Sequence, residues 1–178
     1  MEILKDFKVI PALMDELLQN EDYYKEIANG LIEHNDIFFI GRGIDYALAQ
    51  EGSLKLKEIS YVHSEAYAAG ELKHGTISLI DEGTPVIAIV TDEVLASKTI
   101  SNIKEVKSRG AYVIYVTNRV AEEDNTFFDK KIVIPKVNNL LSPLLTIIPL
   151  QMISYELAKL KGCNIDKPKN LAKSVTVE

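Results

Sequence analysis

Apolar residues follow two patterns along the chain. Ile3, Leu4, Phe7, Ile10, Met14, Leu17 and Leu18 recur at helical spacing and predict a helix over residues 2–19. Pro11 lies inside it and is expected to kink or split it. Tyr24, Ile27, Ala28, Leu31 and Ile32 predict a second helix over about 22–34. The other pattern is a short unbroken apolar run, at residues 37–40, 85–90 and 111–116, and Lys131-Ile132-Val133-Ile134 predicts a last, short strand. Runs of that length without polar alternation predict strands buried on both faces, as in parallel sheets. Residues 65–68 predict a further strand.

Helical stretches separate these runs. One spans about 45–61, after a Gly41-Arg42-Gly43 turn. A second, capped by Thr91 or Asp92, reaches about Arg109 and stops at Gly110. A third runs from Ser142, with Pro143 in its first turn, to about Lys161, with Pro149 at a bend and Gly162 beyond its end. Residues 70–75 read as a turn or short helix, and residues 120–125 as an acidic loop. Strand and helix alternate, which predicts an α/β fold. It is a three-layer αβα sandwich with a parallel, roughly five-stranded sheet. One domain over residues 1–178 is expected, with 164–178 as a polar tail.

The 47% hydrophobic content supports a real core without metal or disulfide, and Cys163 is the sole cysteine. A net charge of −6 argues against nucleic-acid and membrane-surface roles. No apolar run is long enough to span a bilayer, and the first residues lack a signal-peptide pattern, so a cytoplasmic location is expected.

The candidate chemistry gathers between residues 37 and 75. At roughly 100° per residue, Glu51, Lys55 and Glu58 fall within a ~60° sector of one helix face and can address one cleft. The same spacing makes a solvated ion-pair face. As chemistry, Glu58 would be a general base whose charge environment Lys55 sets. His74, between two glycines, has the chemistry of a proton shuttle. The Gly41-Arg42-Gly43 turn is a poor phosphate site, because Ile44, Asp45 and Tyr46 supply no Ser or Thr hydroxyl and Asp45 would repel the anion. No cluster has metal-ligand spacing, and no cofactor is expected.

Residues 51–75 (EGSLKLKEISYVHSEAYAAGELKHG) and 170–178 (NLAKSVTVE) resemble the glucosamine-6-phosphate synthase family, the glutamine–fructose-6-phosphate aminotransferases (isomerizing). The likeness is to the second of two sugar-isomerase (SIS) halves. The glutaminase domain and first SIS half would precede Met1. The resemblance implies an SIS fold, a homodimer, and conversion of fructose 6-phosphate and ammonia to glucosamine 6-phosphate. It implies Glu58 as the base moving a proton between sugar C1 and C2, with Lys55 handling a neighbouring hydroxyl proton. It implies His74, given by the other subunit, as the ring-opening residue, and Lys173 as the Schiff-base lysine. Glu51, Ala172 and Lys169 are then substrate-lining residues.

Lys169 stands where the family has arginine, and Thr76 where many members have proline. The family's Ser/Thr-rich phosphate loop belongs to the first half, so weak sugar-phosphate binding and little or no turnover are expected of this chain alone. Two other classes remain open: a phosphosugar sensor without turnover, and a dimerisation scaffold. A Schiff-base lysine argues against the sensor.

Overall fold

The computed structural model describes residues 2–121 and 124–171. In chain order the elements are α1 (Glu2–Leu18), α2 (Glu21–Leu31), β1 (Asp36–Gly41), α3 (Ile44–Ser60) and β2 (His63–Ala68). Two 3₁₀ turns, Leu72–His74 and Thr76–Leu79, follow. Then come β3 (Pro85–Val90), α4 (Ala96–Lys107), β4 (Tyr112–Thr117), β5 (Lys130–Val133) and α5 (Ser142–Leu160). The sheet is five-stranded with order β2-β1-β3-β4-β5, and every pairing is parallel.

Strand alternation divides the core in two. Ile37, Phe39, Ile87, Ile89, Ile114 and Val116 pack toward α1, α2, α3 and α5. Phe38, Ile40, Val86, Ala88, Val113 and Tyr115 pack the other way, toward α4, Leu72 and Ile80. The inner strands β1, β3 and β4 are buried almost throughout, so their sequences are unbroken apolar runs.

Local chemistry explains where the elements depart from expectation. Proline in α1 leaves the helix continuous to Leu18. Pro11 is exposed, so the Phe7 carbonyl that a proline cannot serve can be hydrated. The helix after β3 starts only at Ala96, because Asp92 Oδ1 accepts the N–H groups of Val94 (2.8 Å) and Leu95 (3.2 Å) in a preceding turn. Ser142 is the first residue of α5 rather than its cap, and α5 runs through Pro149 unbroken. Edge strand β2 begins at His63, two residues before the expected start, where Asp36 of β1 pairs with it.

Candidate functional site

Gly52 allows α3 to sit close to the sheet and to α5. A Cβ there would lie 3.0 Å from both Leu150 Cδ1 and Phe39 Cε1. Leu48, Ala49, Gly52 and Leu56 turn inward, which places Glu51, Lys55 and Glu58 on the half-exposed flank. Lys55 Nζ donates to Glu58 Oε2 at 2.7 Å and lies 3.7 Å from Glu51 Oε1. The structure thus brings these predicted residues together. The hydrogen bond to Glu58 chiefly raises the Lys55 pKa above its ordinary value, against the pull of partial burial. Lys55 therefore stays cationic at neutral pH beside a carboxylate half-open to solvent. That pair can hold or return a proton next to a bound oxygen atom.

Among the surface depressions that the described residues form, two lie beside β2. A depression of about 490 Å³ lies along α3 but is lined by Gln50, Ser53, Leu54, Lys57 and residues of β2. A larger one, about 510 Å³, opens between the starts of β1, β2 and β3, with Asp36, Phe38, His63, Glu65 and Thr84 among its walls. Neither includes Glu51, Lys55 or Glu58.

The polypeptide returns to this face from far along the sequence. Beyond α5, Cys163 donates its N–H to Ala158 O at 2.9 Å. The chain then reaches the C-terminal end of α3. There the Lys169 N–H donates to Tyr61 Oη at 2.8 Å, and Lys169 Nζ sits 4.2 Å from the centre of the Tyr61 ring. Tyr61 caps α3 three residues after Glu58. Predicted residues Ala172 and Lys173 lie outside the described residues.

His74 is elsewhere. α3 runs back to the N-terminal edge of the sheet, and β2 runs forward again to its C-terminal edge before the turn that ends at His74. At about 3.3 Å per residue, the six residues of β2 put roughly 17 Å of strand between the end of α3 and that turn. One copy of the chain does not bring His74 to Glu58.

A buried carboxylate at the C-terminal edge escaped the sequence reading. Strand order reverses between β1 and β3, the place where open α/β sheets form ligand crevices. Here Asp45, 1% exposed, reaches across. It accepts the Thr91 N–H (2.8 Å) and Asp92 N–H (3.2 Å) on Oδ2, and the Thr91 hydroxyl (2.5 Å) on Oδ1. The loop's cation is turned away. Arg42 donates to Asn102 Oδ1 at 2.8 and 3.3 Å, beneath Gly70. The Thr91 and Asp92 backbone donors at this crevice are thus satisfied by the chain's own Asp45. The sequence signal was a lone acidic residue after a glycine turn, whose partner Thr91 lies 46 residues on. Among the described residues no His, Cys, Asp and Glu cluster is arranged to hold a metal ion, and no helix is long and apolar enough to cross a membrane.

Comparison with known proteins places this geometry. The SIS domain profile matches residues 30–161. The glutamine–fructose-6-phosphate aminotransferase (isomerizing) of Caldanaerobacter subterraneus subsp. tengcongensis is 51% identical over 178 residues, covering 100% of this chain and 29% of the relative. The protein of that name from Clostridium tetani is 51% identical over 177 residues, covering 99% and 29%. This chain therefore spans under a third of the length of these relatives. Among solved structures, the C-terminal domain of glucosamine-fructose-6-phosphate aminotransferase from Francisella tularensis superposes with a TM-score of 0.83 at 36% identity, over 92% of this chain and 46% of that one. A putative tagatose-6-phosphate ketose/aldose isomerase from Clostridium novyi shares the fold, with a TM-score of 0.80 at 20% identity over 96% of this chain and 46% of that one. The profile match takes in all five strands and α3, α4 and α5, and on that match the chain belongs to the SIS domain family.

Proposed function

We propose that this chain is the second isomerase half of a glutamine–fructose-6-phosphate aminotransferase (isomerizing), acting on fructose 6-phosphate in the cytoplasm. In this reading the Lys173 amine adds to the open-chain C2 ketone and releases water, giving an imine; ammonia then adds to that imine carbon and expels the Lys173 amine, leaving the sugar C2 imine of ammonia. Glu58 takes the proton from C1 and returns it at C2, which carries the ketose to the aldose oxidation level. Lys55, cationic beside Glu58, steadies the adjacent oxygen. Glu51, Ala172 and Lys169 line the sugar. His74 opens the ring in the site of a partner copy, so the working unit is a homodimer. The glutaminase portion and the first SIS half supply ammonia and the phosphate contacts.

One observation carries this reading: Lys169, four residues before Lys173, is held at the end of the helix that presents the Lys55–Glu58 pair. The roughly 17 Å from the α3 end to the His74 turn supports the need for a second copy. The self-filled crevice at Asp45 supports phosphate binding by the other half.

The test is Glu58→Gln in the full-length protein. Glucosamine 6-phosphate output is expected to fall at least ~100-fold, the usual contribution of a general base, while glutamine hydrolysis continues. Normal output from that variant would remove Glu58 from the reaction. Residues 1–178 alone, given fructose 6-phosphate and ammonia, are expected to make no detectable product. Turnover there would show that the remaining portion is dispensable.

A further inference from the structure

Helix α1 has more apolar surface than the fold uses. Ile10 and Leu17 are buried in the core that α1 shares with α5, and Leu13 and Met14 are partly buried beside them. A second apolar row lies about a quarter turn further round the helix. At 100° per residue, Leu4, Phe7, Pro11 and Leu18 fall within a ~60° sector. All four are exposed, Leu4 at 51%, Phe7 at 57% and Leu18 at 43%. An amphipathic surface helix normally buries its apolar stripe and turns a polar face to water. Lys5, Lys8, Ala12, Asp15 and Glu16 already make that polar face, so the exposed row is an extra one. It also stands outside the residues 30–161 that the SIS profile matches.

The row is self-complementary. When a second α1 lies antiparallel to the first, with a two-fold axis at Pro11, Leu4 of one copy and Leu18 of the other share a level. Phe7 then lies within ~1.5 Å of the level of the other copy's Met14. The charges match as well. Lys8 and Asp15 follow the same border of the row, the one away from Ile10 and Leu17, and among the described residues neither has an ion-pair partner in its own chain. The antiparallel pair brings each Lys8 within ~1.5 Å of the level of the other copy's Asp15 and on the same side, which makes two symmetric bridges. A parallel pair would hold them ~10 Å apart along the helix.

We propose that α1 is the contact surface for a second copy of this chain, an antiparallel two-fold helix pair along Leu4, Phe7, Pro11 and Leu18, rimmed by two Lys8–Asp15 bridges. A row this short buries less than the ~800 Å² per partner of a standard interface, so the dimer is weak and reversible. The homodimer proposed above rests on His74 and this contact on α1 alone, so either can fail without the other.

Sedimentation of residues 1–178 at concentrations up to about 500 µM is expected to show monomer passing to dimer, with a Kd on the order of 100 µM. Phe7→Asp should weaken the dimer at least ~tenfold, because the change acts twice across the axis. Its melting temperature should stay near that of the parent, since Phe7 is exposed. Val94→Asp, at an exposed apolar position elsewhere, should leave association unchanged. Lys8→Glu and Asp15→Lys should each weaken it about threefold by setting like charges together, and the double variant should recover the parent Kd within about twofold. Monomer throughout that range overturns the proposal and leaves the row to another occupant, such as the further polypeptide of the longer relatives. A dimer indifferent to Phe7→Asp puts the contact elsewhere and overturns it too. So does a dimer lost in Phe7→Asp whose double charge variant is no tighter than the singles, because the antiparallel register requires that recovery.

Discussion

Replacing Asp45 separates the need for an acceptor from the need for a charge. In Asp45→Ala the Thr91 and Asp92 N–H groups and the Thr91 hydroxyl lose their common partner. Thr91 is 2% exposed, so water does not readily substitute. At ~1–3 kcal/mol for each orphaned buried donor, and with Asp92 less buried and the hydroxyl free to rotate, a loss of about 3–5 kcal/mol is expected. Asp45→Asn differs. Its carbonyl can take both N–H groups while its amide donates to Thr91 Oγ1, so every pair survives in weaker, uncharged form. Relief of carboxylate desolvation offsets much of that weakening, and the net change should be about 1 kcal/mol or less.

The pH dependence supplies the sign. Burial pushes the Asp45 carboxyl above its ordinary value, and the Thr91 and Asp92 hydrogen bonds pull it only partly back. The native state thus keeps its proton to a higher pH than the unfolded chain. Between those two values the native form binds more protons, so stability falls as pH rises through that window and is regained on acidification. Asn cannot titrate. Urea midpoints of parent and Asp45→Asn at pH 7 and at about pH 4, near the unfolded carboxyl value, should show the parent gaining on the variant at the lower pH. An Asn variant as damaged as the Ala variant would refute the argument, because the charge itself would then be required. A gap that stays constant or narrows on acidification would refute the burial effect.

Gly41→Ala should cost about 3 kcal/mol or more, because the new Cβ would collide with the backbone carbonyl of Asp45, where no rotamer change relieves it. Thermal melting checks this, and a variant within 1 °C of the parent would show that the loop moves freely. Tyr24, whose hydroxyl donates to Leu17 O at 2.9 Å, is pushed by burial up to about 12. The unfolded phenol ionises near 10, so the native form binds more protons above that value and stability falls as pH rises through the window. Tyr24→Phe should flatten that part of the decline between pH 9 and 11 in urea titrations, and equal slopes in the two proteins would refute it.

The fold was legible where burial is symmetrical. β1, β3 and β4 are covered on both faces, so each reads as an apolar run and could be taken from sequence within a residue or two. β2 was cut short because an edge strand is half solvated; its opening His63-Ser64 carries no apolar signal, and the pairing of His63 with Asp36 does the work. The late start of α4 was hidden because Asp92 spends its side chain on the turn before the helix. At the candidate site, the Lys55–Glu58 pair was readable from i,i+3 spacing alone. Tyr61 with Lys169, 108 residues apart, and Asp45 with Thr91, 46 apart, were not readable. Helical and strand periods encode neighbours within an element, and nothing in them encodes where a returning segment lands.

Closeness in sequence also misleads in the other direction. Glu58 and His74 sit within one short stretch and read as parts of one centre, yet Glu58 lies at the end of α3 and β2 ascends between it and the His74 turn, which puts them at opposite edges of the sheet. Lys169 lies more than a hundred residues from Glu58 and ends beside its helix. Under the proposed function, each copy therefore gives its base and its tail to one site and its histidine to another. The stability of the isolated fold and the completeness of the site are then separate properties. The core that orders α3 needs no partner, since its apolar face is buried on β1 and α5 within one chain. Under the same proposal, the chemistry needs a second copy outside the chain. An open, charged flank on a well-packed helix is what such a division of labour leaves in a single copy.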